Sequence, residues 1–400
     1  GKERSTWMQK RTAFLTGPGP GREAAQAMAP YMVPGLQNLQ ANGNANSLHS
    51  VGRNAFSEME DARMRIARGL HAARPTEIIF TSGATEADNL ALLGITDALL
   101  QARRAKGDKS CGKIITTEIE HDAVLSVLPR LRERGITVER LKPNAAGFVT
   151  REALEETLDD NTLLVSIMMA NNEMGAVQDI KALAAAAHAK GALFHTDATQ
   201  ALGKVPIDLK ELDVDAASFS AHKICGPKGI GALYLKAHTP LMPLIDGGGQ
   251  EGGQRSGTQN VMGMAGFAAA LAAAVDAQAA ESERERGLRD RLYAEMTAVP
   301  GVRPVVAVPQ GSRDYLPNIV DVTVDGMESE TLILRLDVAG FAVSGGSACS
   351  TGSLDPSHVL SALGIERDRA LGALRVSMGR YTTEDHVARF IRAFREAVSR

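Results

Sequence analysis

"SFSAHKICGPKGIGALYL", residues 218–235, holds a lysine between two short β-rich runs. Ser218 to Ser220 end one candidate strand and Gly231 to Leu235 form the next. Lys223 stands between them with His222 at its side and small residues around it. An amine packed among small groups and near cationic neighbours loses part of its ammonium character, which makes it competent for Schiff-base chemistry. The glycines from Gly226 to Gly231 let backbone approach closely and turn the chain into the second strand, but their spacing is not that of a phosphate-cradling P-loop.

Working outward, similar short runs recur: 77–81, 113–117, 162–169, 192–196, 216–220 and 231–235. Between the earlier ones lie segments with helical spacing of Leu and Ala, such as 84–104 and 179–191. Apolar runs without clean alternation suit strands buried on both faces. Strand and helix in alternation predict a mostly parallel sheet covered by helices, with ligands at the carboxyl ends of the strands. After residue 260 the texture changes. Residues 261–297 read as one long helix, followed by a smaller α+β unit with 318–324, 330–337 and 373–378 and a closing amphipathic helix at 383–399. The expected division is a large domain at 15–260 and a small one at 261–400.

Two more stretches reach the ligand rim. In "FTSGATEADNL", 80–90, a strand ends, Ser82 and Gly83 turn, and Thr85 precedes Asp88 at capping-box spacing. Free N–H groups at such a helix start attract phosphate, though an ordinary cap reads the same way. In "FHTDATQALGK", 194–204, Asp197 and Gln200 follow a strand; Asp197 suits a proton on a heterocyclic nitrogen or a simple helix cap. Together the three stretches fit one ligand: a phosphate anchor (Thr85, Ser220, His222), an acid for a ring nitrogen (Asp197) and an amine for an aldehyde (Lys223). Pyridoxal 5′-phosphate carries all three groups. A nicotinamide would leave Lys223 unexplained, and "GPGPGR" at 17–22 misses the dinucleotide fingerprint because position 22 is Arg.

Bulk properties narrow the partners. The formal net charge of −3, with no long like-charge run, argues against direct nucleic-acid binding and against an acidic membrane surface. Three widely spaced cysteines (Cys111, Cys225 and Cys349) form no disulfide framework and suit a reducing, cytoplasmic compartment. The polar first ten residues contain no secretory apolar segment, and no stretch is expected to span a membrane. Cys349 lies in "SGGSACSTGS", 344–353, where nothing nearby is apolar enough to bury a thiol.

Nine motifs in order carry a resemblance: GNANSLHSVGR (43–53), TSGATEADNLAL (81–92), TEIEHDAV (117–124), NNEMGAVQDI (171–180), HTDATQALGKVPIDL (195–209), 218–235, GGGQEGGQRSGT (247–258), SGGSACSTGSLDPSHVLSALG (344–364) and LRVSMGRYTTE (374–384). From about residue 43 to its end the sequence resembles the cysteine desulfurases of the NifS/IscS type, in the class V aminotransferase family with the fold type I of pyridoxal-phosphate enzymes. The resemblance implies a large cofactor domain and a small α+β domain. Lys223 would hold the cofactor covalently, and His121 would stack on its ring and move protons at the substrate. Asp197 would pair with the ring nitrogen and Gln200 with the ring hydroxyl. Ala84, Thr85, Ser220 and His222 would bind the phosphate, joined by Thr258 from a neighbouring subunit, which implies a homodimer. Asn172 would contact cofactor and substrate, and with Arg375 would hold the carboxylate of L-cysteine. Cys349, on a loop at about 344–356, would be the nucleophile that takes the sulfur as a persulfide and passes it to an acceptor protein such as an iron–sulfur scaffold. In relatives that cysteine can also share a cluster with the scaffold, so Cys349 is the one expected metal ligand. The sulfur would serve iron–sulfur clusters, other sulfur-containing cofactors or tRNA thiolation.

Three departures stand out. At 14–32 the chain reads FLTGPGPGREAAQAMAPYM, without the Asp-Asn-Ala-Ala-Thr-Thr core of relatives. Ala45 replaces a usual Pro, and QARRAKGDKSCGK (101–113) reads as an exposed insertion. The competing readings are a selenocysteine lyase, another enzyme of the same fold, or a cofactor-binding scaffold with weakened catalysis.

Overall fold

A computed structural model describes residues 21–32, 43–346 and 355–399. Seven strands form the larger sheet: β1 (Ile78–Thr81), β2 (Lys113–Thr117), β3 (Thr137–Leu141), β4 (Thr162–Ser166), β5 (Leu193–Asp197), β6 (Ala216–Ser220) and β7 (Gly231–Leu235). Their order is β1-β7-β6-β5-β4-β2-β3. The five strands from β3 to β6 pair in parallel, and β7 runs antiparallel to both β6 and β1. Strands β1, β4, β6 and β7 are buried at every residue, as expected for a sheet covered on both faces. The carboxyl ends of β5 and β6 lie side by side, Asp197 registering with Ser218. That register sets the ligand rim.

A second sheet follows, with β8 (Val302–Pro304), β9 (Ile319–Val324) and β10 (Ala373–Ser377), all antiparallel. Arg375 faces Asp321 across β10 and β9. Leu288, Leu292 and Met296 pack with Val320, Val322, Leu374, Val376, Phe390 and Phe394 into this unit's own core.

The helix Val261–Thr297 runs 37 residues without a break. Its first part (Met264, Phe267, Leu271) belongs to the core under the large sheet, and its last part to the core of the small one. The proposed boundary between 15–260 and 261–400 falls at its first residue. The reading that no apolar stretch is long enough to span a membrane needs correction here, because this helix is long and apolar enough by length and composition. Its most apolar window is half buried in the protein, against the helices Arg22–Met32 and Ser50–Gly69. Alanine accounts for the misreading. Ala-rich stretches score as apolar yet pack closely against neighbouring helices as core.

The strand segments expected at 77–81, 113–117, 162–169, 192–196, 216–220, 231–235 and 318–324 all form, with β4 shorter than expected. Two strands were not anticipated. β3 reads Thr-Val-Glu-Arg-Leu and sits at the sheet edge with most residues exposed, so it lacks the apolar run of its neighbours. β8 is three residues long. Residues 330–337 lie in a helix, Ser329–Val338. The insertion at 101–113 continues a helix to Ala105 and then exposes Lys106 to Ser110. Of the atypical segment 14–32, residues 22–32 form a helix and 14–20 lie outside the described residues.

Candidate active site

Lys223 sits in a single 3₁₀ turn, Ala221–Ile224, immediately after β6. The turn is closed by Cys225 in a left-handed conformation (φ 61°). Strand β7 then returns beside β6, and Gly231 makes this possible. A Cβ on Gly231 would lie 2.4 Å from the Phe219 carbonyl oxygen and 2.7 Å from the Gly83 Cα. The lysine-bearing hairpin and the loop entering the helix Ala84–Asn89 therefore touch backbone to backbone. Gly83 also approaches the Ser220 hydroxyl. Ala84, Thr85, Ser220, His222 and Lys223 are thus gathered at one edge. The first N–H groups of a helix have no partner within it, and with Ser220 and His222 they make a donor set suited to a phosphate dianion. Arg255 clamps this edge from outside through Glu86 (2.7 and 3.1 Å), fixing the loop that carries exposed Thr258.

Asp197 ends β5, 6% exposed, and its Oδ1 accepts the Thr199 amide (2.9 Å). Gln200 is half-buried in the turn that follows. Burial and the charges of Lys223, Lys228 and Lys204 press the His222 ring down to about 4. Lys204 is drawn down to about 8 by burial and by Lys223. The donor set and the glycine contact fit pyridoxal phosphate: the acid ends β5, the amine follows the adjacent β6, and the contact of Gly231 with Gly83 brings the helix start after β1 up to them.

His121 caps the helix Asp122–Leu125, its Nδ1 accepting the Ala123 amide at 3.0 Å. The ring is half-buried beyond the end of β2, the sheet edge that carries the other site residues. Behind it, Glu120 is fully buried, its Oε1 accepting from Thr117 (2.8 Å) and the Met168 amide (2.9 Å). Burial pushes its carboxyl up to about 8 from 4.5. A raised acid contributes stability below its unfolded value that is lost as pH rises through its folded value. Glu120→Gln keeps the two acceptor bonds and removes the charge. It is expected to stabilise the fold at pH 9 relative to pH 5 by on the order of 2 kcal/mol, read from denaturant midpoints at the two pH values. Equal effects at both would refute the assignment.

Arg375 and Asn172 lie side by side: Arg375 Nη1 donates to the main-chain carbonyl of Asn172 at 2.7 Å. Arg375 also exchanges both backbone hydrogen bonds with Ser344 (2.7 and 3.1 Å). The segment leading to Cys349 therefore starts alongside the arginine. Cys349 itself, and with it the expected metal ligand, lies outside the described residues, as do 347–354 of the expected loop. Downstream, His358 reaches the Glu120 carbonyl at 2.9 Å, and Ser357 donates to buried Glu173 at 2.6 Å. Sequence reasoning passed over Glu120 and Glu173, which sit inside its own motifs next to the residues it chose.

One expectation is overturned. Thr85 and Asp88 form no capping box, because the helix cap is Gly83, two residues before Thr85. The acid that reaches back is Glu86, which accepts the Ser82 amide at 2.9 Å. The earlier start turns Asp88 onto the inner face, where it is 1% exposed.

The class-V aminotransferase family model matches residues 23–390. A cysteine desulfurase IscS of Clostridium botulinum is 40% identical over 366 residues, covering 91% of this chain and 88% of that protein. The cysteine desulfurase IscS of Serratia proteamaculans is 42% identical over 358 residues, covering 89% and 85%. Among solved structures, a NifS-like protein superposes with a TM-score of 0.85 at 36% identity, over 96% of this chain and 97% of the other.

Proposed function

The chain belongs to the class-V aminotransferase family and is a pyridoxal-phosphate-dependent cysteine desulfurase, and from that premise we propose how its residues share the work. The observation that carries the assignment is the backbone contact between Gly231 and Gly83, which brings the Lys223 turn against the phosphate-type helix start, with Asp197 on the adjacent strand. Bound pyridoxal phosphate supplies an electron sink conjugated to the substrate α-carbon.

Around it, the chain's side chains divide the tasks. Lys223 holds the cofactor carbonyl carbon and moves the substrate α-proton. Asp197 keeps a proton on the ring nitrogen, and Gln200 serves the ring hydroxyl. Ala84, Thr85, Ser220 and His222 hold the phosphate, and His121 covers the ring. Arg375 and Asn172 orient the substrate carboxylate and with it the Cβ–S bond. The Cys349 thiolate attacks that sulfur. One C–S bond breaks and one S–S bond forms, so cysteine and the enzyme thiol become alanine and an enzyme persulfide. Exposed Thr258, on a loop pinned by Arg255, serves the site of a second copy in a homodimer. The persulfide is delivered to an acceptor protein, such as an iron–sulfur scaffold, in the cytoplasm.

Incubation with L-cysteine and a thiol reductant tests the reading. Sulfide and alanine are expected in equal amounts. Selenide release from selenocysteine, with no sulfide from cysteine, would favour the lyase reading instead. Cofactor binding without alanine would favour a scaffold.

A further inference from the structure

His195 is two residues before Asp197 on β5 and has no solvent exposure. Both of its ring nitrogens are engaged: Nδ1 with Ser166 Oγ of β4 at 2.8 Å, and Nε2 with Ser218 Oγ of β6 at 2.9 Å. Burial presses the ring down to about 3, so it is neutral at working pH. Asp88 Oδ1 lies 3.6 Å from the same Nε2, and its carboxyl is beside Ser218. Neither Asp88 oxygen has a hydrogen bond of normal geometry. The titratable groups facing Asp88 are His195, Asp197 and Glu120.

An isolated carboxylate at this depth would forfeit far more solvation than a protein interior returns, so the group takes up a proton instead. Asp197 differs, since it sits at the rim and accepts a backbone amide. Of these two acids Asp88 is the one whose oxygens find no donor, so the proton resides there. Asp88 also rides on the helix whose first turn carries Ala84 and Thr85.

We infer that Asp88 and His195 are positioning residues for the cofactor: Asp88 stays protonated beside His195 and Ser218, and so presents no second anion to compete with Asp197 for the ring nitrogen. This rests on the pyridoxal-phosphate reading, which the wild-type protein tests by itself, since failure to bind pyridoxal phosphate at all would sink that reading first.

The test compares reloading of the apoprotein with pyridoxal phosphate and with its deaza analogue, in which C–H replaces the ring nitrogen. His195→Gln and the milder Ser218→Ala are expected to weaken pyridoxal phosphate about tenfold, and the analogue at least about fivefold less than that. A purely structural role would weaken both compounds alike, so a difference in losses below about fivefold in both variants overturns the inference. If His195→Gln does not fold, Ser218→Ala decides. Asp88→Leu is expected to show the same selective loss, and Asp88→Asn, which keeps an N–H donor and never carries charge, to restore binding to within about threefold of wild type. An Asn variant as weak as the Leu variant would mean that Asp88 acts as an anion, which also overturns it.

Discussion

Lys223→Ala is expected to lower alanine formation from L-cysteine by at least about 10⁴-fold, because it removes the amine proposed both to hold the cofactor and to carry the α-proton. Lys223→Arg should fall as far, since guanidinium keeps the positive charge but offers no nucleophilic amine. The pair of variants separates charge from chemistry. Borohydride reduction of the loaded wild-type protein, followed by peptide mapping, should place a stable adduct on Lys223. The neighbouring amine that a misdirected adduct would find is Lys204, which is electrostatically coupled to Lys223 and drawn down to about 8. A tag there, or an active arginine variant, would remove Lys223 from its role.

Cys349→Ala should leave the visible band of the bound cofactor intact, together with its change on adding L-cysteine. Sulfide release should nevertheless fall by about 10³-fold or more. The substrate still binds and loses its α-proton, but the sulfur has no thiolate to accept it. Persulfide should be detectable on wild-type protein after a single turnover, at one sulfur per active thiol. Full sulfide release by the alanine variant would show that cleavage does not need this residue.

Much of this was legible in the sequence because the decisive groups sit at strand ends. Lys223, Asp197 and Thr85 each stand at or just past the end of a short apolar β-rich run, so the run and the turn after it locate them at the rim. The edge strand β3 was illegible for a physical reason: an exposed edge needs no apolar run, and Glu139 and Arg140 give it the look of a loop. Asp88 was misread because the helix cap lies two residues before the expected one. With Gly83 as cap, the acid expected to face the backbone turns into the protein. The polar groups beneath the site escaped for a related reason. Ser166, His195 and Ser218 come from three strands, and only their register aligns them. No local pattern announces such a contact.

The 37-residue helix Val261–Thr297 would span roughly 55 Å at the usual rise. Both hydrophobic centres grip it, and no loop interrupts it between them. A rod shared by both centres leaves no soft joint at this connection, so the two are expected to melt together in one calorimetric transition rather than piecemeal.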